Sequence, residues 1–253
     1  MRQRKGVHTL IALSALLLLA GEAWSGVHVP TAVKIWQDRL DTAEEQLRAG
    51  EYKKAHDLAD LLERQMLDAI EGGDGARPLL ARALVIRSFA NAGLGKMRDA
   101  TWDWFMARAV YPEMTDESLA TSGKVGEILA AEIAKLPGKP KPDGTPVEPR
   151  PTAGTVTPPK KLRGRSPAYP YALQKGCLEG TVQLRGIIDT EGRIHRPGVL
   201  ESPSPLLTVA ALEAFRTWRF QPARYEGKPV LVYYTLTIKF TNVDCFSARK
   251  LAG

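Results

Sequence analysis

The sequence predicts a multidomain chain: an all-α domain of repeat character, a proline-rich extended linker, and a C-terminal α+β domain. Three observations carry that prediction. Residues 31–136 keep helical periodicity, and a glycine-led pattern occurs in them twice. Residues 137–159 hold eight prolines in 23 positions. Residues 180–240 switch to period-two alternation interrupted by one helix start, in the order β-β-α-β. With 253 residues and 44% apolar content, each of two modest domains has the means to bury a core.

The first 25 residues precede both domains. Arg2, Arg4 and Lys5 make a basic start, Thr9 to Ala20 is apolar but for its hydroxyls, and Ala23-Trp24-Ser25 resembles a cleavage point. That is the pattern of a secretory signal peptide. A retained anchor is the competing reading, although twelve residues make about 18 Å of helix against a hydrocarbon core of about 30 Å.

In the helical domain, Gly50-x-Tyr52-x-x-Ala55-x-x-x-Ala59 recurs as Gly95-x-Met97-x-x-Ala100-x-x-x-Trp104. The pattern resembles tetratricopeptide repeats, in which a glycine makes the tight turn and small residues let two helices approach. The two glycines stand 45 residues apart where the family has about 34, and Glu71 to Pro78 reads as an inserted loop. Val125 to Leu136 is expected to cap a degenerate array of two repeats. Trp102, Trp104 and Phe105 read as core; a second protein partner on a concave repeat face is the alternative. His28 and His56 have no companion at metal-ligand spacing, and no cofactor is expected.

Residues 137–165 read as a Pro/Lys-rich extended linker. Such composition cannot build a core and favours polyproline II, at about 3.1 Å per residue. The net charge of +7 is distributed unevenly. Residues 26–136 carry 14 basic and 18 acidic side chains, residues 137–165 carry 7 and 2, and residues 166–253 carry 11 and 7. An acidic helical domain and the lack of a basic helix argue against nucleic acid.

Residues 166–246 make the second domain and 247–253 a tail. Val182, Leu184, Gly186 and Ile188 alternate with Thr181, Gln183, Arg185 and Ile187 as a first strand. Asp189 to Gly192 is the turn, and a second strand runs from Arg193 to about Leu200. Ser204 and Pro205 start a helix as N-cap and first helical residue. Val232, Tyr234, Leu236, Ile238 and Phe240 alternate as a third, longer strand. A hairpin followed by a right-handed crossover places the first strand centrally, with the second and third at the edges. Pro197-Gly198 protects the second edge; the third, from Val230 to Phe240, has no proline.

Tyr169-Pro170 with Ala172, Gly180, Val182, Asp189, Gly192, the Leu207/Ala210/Ala211 helix and Trp218-Arg219-Phe220-x-Pro222 form one pattern. Gly227-x-Pro229-Val230 and Ile238-x-Phe240 complete it. Together they resemble the C-terminal domain of the TonB family over roughly residues 160–246. The resemblance implies a periplasmic protein that engages outer-membrane transporters by pairing an extended partner segment with the third-strand edge. On this sequence that edge is Leu231, Val232, Tyr233, Tyr234, Thr235, Leu236 and Thr237. β-Augmentation is also the mode that the residues themselves offer. Closure of the edge by the chain's own tail, or by a second copy in a homodimer, is the competing reading. Trp218 and Phe220 are expected to seal the helix onto the sheet.

Cys177 precedes the first strand and Cys245 follows the third. Antiparallel neighbours bring those ends together, so an exported chain is expected to join them in a disulfide. No phosphate-binding glycine loop, GxSxG or HExxH is present, and His195 has no evident group to orient it, so no enzyme is expected. Two functions remain. One is a transporter-engaging coupling protein, for which the family needs an inner-membrane helix bearing serine and histidine; here the apolar run holds only Ser14, and His8 precedes it. The other is a soluble periplasmic adaptor or scaffold using the C-terminal domain as an interaction module. Inner-membrane contact stays open between them.

Overall fold

The computed structural model describes residues 31–69, 76–114, 119, 121–138, 156–174 and 178–241. The expected signal segment, most of the proline-rich stretch, Cys177, Cys245 and the tail lie outside the described residues. What is described falls into two compact units.

The first is helical and holds α1 (Thr31–Arg48), α2 (Tyr52–Ala69) up to Glu63, α3 (Ala76–Gly93) from Pro78, α4 (Met97–Val110) and α5 (Gly123–Lys135) up to Ile133. The recurring glycines make the same turn twice. Gly50 and Gly95 sit at φ +77° and +74°, and each is closed by paired bonds, Glu51 N–H to Gln46 O (2.8 Å) and Lys96 N–H to Asn91 O (2.8 Å). This is the left-handed helix stop that glycine permits and other residues resist. Helix α3 begins at Ala76, so the inserted loop is shorter than its composition suggests. Pro78 falls in the first turn, where its missing N–H has no helical partner to lose.

Trp102, Trp104 and Phe105 are buried. Beside them is an ionic cluster that periodicity does not reveal. Arg87, 5% exposed, pairs with Glu63 and, at 2.8 Å, with Asp103. Asn91 donates to the second oxygen of Asp103 at 2.8 Å. Removing either end of such a pair leaves a buried charge without its counterpart.

The second unit is built on β3 (Gly180–Ile188), β4 (Ile194–Glu201), α6 (Pro205–Arg216) and β8 (Val232–Phe240). The sheet order is β4-β3-β8, antiparallel throughout. Ser204 caps α6, its hydroxyl accepting from the Leu206 N–H at 3.2 Å. Helix α6 buries Leu206, Leu207, Val209, Leu212 and Phe215, with the Phe215 ring over Gly186 of the central strand. Burial of such side chains stabilises by about 1.5–3 kcal/mol each.

A second set of strands was not foreseen. β1 (Val156–Thr157) and β2 (Lys160–Arg163) lie antiparallel along β5 (Arg219–Gln221) and β6 (Ala223–Tyr225). The register runs from Val156 opposite Tyr225 to Arg163 opposite Arg219. β7 (Lys228–Val230) returns along β6 through a two-residue turn, Glu226-Gly227, with both residues at positive φ. The last part of the proline-rich stretch is therefore a paired strap. Its prolines, Pro158-Pro159, fall between the two short strands, where no ladder donor is required of them.

Candidate functional site

The two edges of the three-stranded sheet differ in regularity. β8 pairs with β3 one to one over nine residues, from Gly180 opposite Phe240 to Ile188 opposite Val232. Along β4 the register shifts twice. Arg196 and Pro197 together face Gly186, and Arg196 sits at φ +45°. A bulge of this kind re-aims backbone groups and spoils an edge for pairing. Among the described residues no strand pairs with the outer edge of β8.

On β8 the alternation is direct. Val232, Ile238 and Phe240 are buried, Tyr234 and Leu236 half-buried, and Thr235, Thr237 and Lys239 exposed. Tyr233 is half-buried, with the Arg185 guanidinium 6.0 Å from its ring centroid. Leu231 lies between β7 and β8, outside both strands. The strand thus presents an apolar row toward the helix, a hydroxyl and cationic row on the other face, and backbone groups at the rim.

Aromatic residues hold this edge strand. Phe215 of α6 meets Trp218 edge-on at 5.7 Å between centroids, Trp218 lies 6.3 Å from Phe220, and Phe220 meets Tyr234 of β8 at 5.4 Å. Ring pairs at these separations add to their area burial. The Trp218 indole N–H donates to Arg165 O at 2.8 Å, and the Lys161 ammonium sits 3.3 Å from its ring centroid. Burial there lowers the Lys161 pKa. At the other end of β8, Tyr169 packs 6.4 Å from Phe240, and its hydroxyl lies 2.7 Å from Leu178 O and 3.1 Å from Leu173 O. Pro170 is buried beside it, ahead of a three-residue 3-10 turn, Tyr171–Leu173. Pro222 separates β5 from β6, and Pro229 stands opposite Arg224.

The β3–β4 turn is more than a reversal of direction. Gly192, at φ +72°, approaches Phe220 so closely that a Cβ would come within 1.7 Å of its carbonyl oxygen. The Phe220 N–H bonds to Gly192 O at 3.0 Å. Any side chain here would separate the turn from the aromatic row. Asp189 accepts from the Glu191 and Arg193 N–H groups (2.8 and 2.9 Å) and from the Arg193 side chain (3.0 Å). Its carboxylate also lies 2.7 Å from His195 Nε2. Burial would raise its pKa, but the bonds from His195 and Arg193 outweigh burial and hold it at about 2. His195, which seemed to have nothing to orient it, is oriented by Asp189. No residue nearby completes a nucleophile or a metal set among the described residues, and the pair works as a turn clamp.

Two contributors escaped the sequence reading. The strap that sets Lys161 on Trp218 was masked by prolines, although β-branched Thr155-Val156-Thr157 is a local strand signal. The Asp189–His195 contact needs the hairpin register, which spacing alone does not supply.

Residues 165–241 match the family model described as Gram-negative bacterial TonB protein C-terminal. Protein TonB of Klebsiella pneumoniae is 30% identical over 105 residues, 41% of each chain. Protein TonB of Pseudomonas aeruginosa is 39% identical over 72 residues, covering 28% of this chain and 21% of that one. Protein TonB of Vibrio cholerae is 33% identical over 75 residues, covering 29% and 31%. The solution NMR structure of the Pseudomonas aeruginosa TonB C-terminal domain is 35% identical, with a TM-score of 0.30, covering 34% of this chain and 87% of that one. The chain spans less than half the length of the curated relatives it matches. Residues 165–241 thus carry the C-terminal domain of the TonB family, behind an N-terminal helical domain.

Proposed function

We propose that the outer edge of β8 is a docking rail for an extended segment of an envelope protein of the outer-membrane transporter type, and that the protein acts by binding, without catalysis, in the periplasm. One observation carries the reading: the regular edge of the sheet has no strand against it among the described residues, while the irregular edge is bulged. Backbone bonds from alternate residues between Val232 and Thr237 supply affinity, and the side chains on the two faces select the partner's sequence. The partner strand's inward residues extend the row of Leu236 and Ile238; its outward residues lie beside Thr235, Thr237 and Lys239.

The test is hydrogen exchange of the full chain with and without a peptide from the periplasm-facing segment of a candidate transporter. Slowed exchange confined to residues 232–240 supports the rail. Protection on β4 or the helical domain instead, with β8 unchanged, overturns it.

The adaptor reading rests on the domain ahead of the sheet. Among the described residues, five helices gather a buried ionic cluster ahead of the sheet, and no helix of the described residues is long and apolar enough to cross a membrane. Cell fractionation and sequencing of the mature N-terminus separate the two. A soluble product beginning near Gly26 favours the adaptor, and a membrane-retained intact chain favours coupling.

A further inference from the structure

The strap and the strands beside it are almost entirely of one sign. Across residues 156–165 and 219–230, Lys160, Lys161, Arg163, Arg165, Arg219, Arg224 and Lys228 stand against one acid, Glu226. Register sorts the strap onto two faces. Lys161 pairs with buried Phe220 and covers Trp218. Lys160, opposite Gln221, and Arg163, directly opposite Arg219, stand on the other face. All four β2 side chains are exposed.

Arg219 has a partner of its own, its guanidinium donating to Trp218 O at 2.8 Å, whereas Lys160 and Arg163 have only Gln221 and another cation opposite them, an arrangement that ribbon stability does not explain. A second oddity lies between Lys161 and Arg163 in sequence. Leu162, at the irregular step of the strand, is 64% exposed. A protruding leucine among cations is the composition of a surface that meets lipid: headgroup phosphates satisfy the charges and the acyl boundary takes the leucine.

We propose that the outer face of β2, with Lys160, Arg163 and Leu162, docks on an anionic phospholipid bilayer. Nucleic acid is disfavoured because single-strand binding uses accessible rings, whereas Trp218 is 8% exposed under Lys161. An acidic protein would need a pocket placed to receive Leu162, while a bilayer needs none. The strap lies before the family match, which begins at residue 165, and β2 and β8 belong to different sheets. The proposal therefore stands or falls independently of the rail.

The experiment is co-sedimentation of the full chain with vesicles of phosphatidylglycerol and phosphatidylcholine, against phosphatidylcholine alone, over a range of salt. Binding is expected to need the anionic lipid and to weaken with salt. Lys160→Glu with Arg163→Glu should raise the lipid needed for half-binding roughly tenfold or more. Leu162→Ser should weaken binding a few-fold at every salt concentration, and Lys124→Glu on α5 should leave it unchanged. If circular dichroism shows the reversal unfolded, Gln at both positions replaces it, with a smaller loss expected. Equal binding by wild type and the charge variants overturns the proposal, as does equal binding to neutral vesicles. So does displacement by millimolar inorganic phosphate with no effect of Leu162→Ser, which would mark a site for a free anion. Retention by DNA or polyglutamate without vesicle binding also overturns it.

Discussion

The two edges of the C-terminal sheet are made from strands of similar length and treated in opposite ways. β4, at eight residues, takes two register shifts, a proline and a non-glycine residue at positive φ. β8, at nine residues, takes none of these and keeps its partner residue for residue. Both flank the same central strand, so the sheet itself does not require the difference. What separates them is their availability: an edge accepts another strand only if its donors and acceptors repeat in plane, and β4 has lost that repeat. Strand identity is thus a weak guide to function here, and regularity a strong one.

The largest expected effect concerns the frame that holds the regular edge. Gly180 pairs with Phe240, so Cys177, just before one of these strand ends in sequence, and Cys245, just after the other, belong to neighbouring strand ends, and we propose that they are joined. The closed loop of 67 residues is worth about 4 kcal/mol in the chain-entropy model. Replacing both cysteines by serine should lower the unfolding free energy by about that amount in urea titration. In the wild type no thiol should titrate after denaturation without reductant; two reactive thiols would end the idea.

Next comes the edge itself. Neighbouring residues of an edge strand point their N–H groups alternately toward the sheet and away from it. Of Thr235→Pro and Leu236→Pro, one removes a ladder bond to β3 and the other only an outward donor. The outward variant should fold normally and lose partner binding by roughly a hundredfold, as several backbone bonds fail together. If the well-folded variant binds like wild type, the partner does not add a strand to β8.

Much of this was legible in advance, for a physical reason. The β-β-α-β order, the Ser204 cap and the central place of the first strand follow from periodicity, capping chemistry and crossover handedness, all of which act locally or through chain connectivity. The doubled glycine turn was visible because Gly50 and Gly95 each occupy a conformation that other residues resist. The strap was not legible, because residues 156–163 owe their strand to pairing with residues 60 or so positions away rather than to their own composition. Arg87 was overlooked for a similar reason. An arginine in a helix reads as surface until Glu63 and Asp103 are seen to converge on it from α2 and α4.

The Asp189 clamp secures the hairpin from which β4 departs, and its contribution depends on pH. With a native pKa of about 2 against an ordinary 3.8, the carboxylate stabilises the fold above pH 4, by on the order of 2 kcal/mol. Since the folded value is the depressed one, that contribution is present above the unfolded pKa and is lost as pH falls through the folded one. Asp189→Asn should cost a similar amount at neutral pH, and should flatten the fall of unfolding free energy between pH 4 and pH 2. An unchanged slope there would show that other carboxylates govern the acid limb.

The smallest effect is the most direct trial of the contrast between edges. Deleting Pro197 leaves Arg196 alone opposite Gly186, with His195 still facing Ile187 and Gly198 still facing Arg185. The ladder would then run without its extra residue, and a backbone donor would replace the proline. Stability should change by less than about 1 kcal/mol, since strain relief at positive φ offsets what the local rearrangement costs. The gain should appear in association: a flatter β4 should pair with its counterpart on a second copy, giving a concentration-dependent dimer in light scattering that the wild type lacks at the same concentration. Peptide binding at β8 should be unaltered. A deletion variant with the wild type's association state would show that the remaining shift beside Leu200 protects β4 on its own, and removing that residue as well should then release the edge.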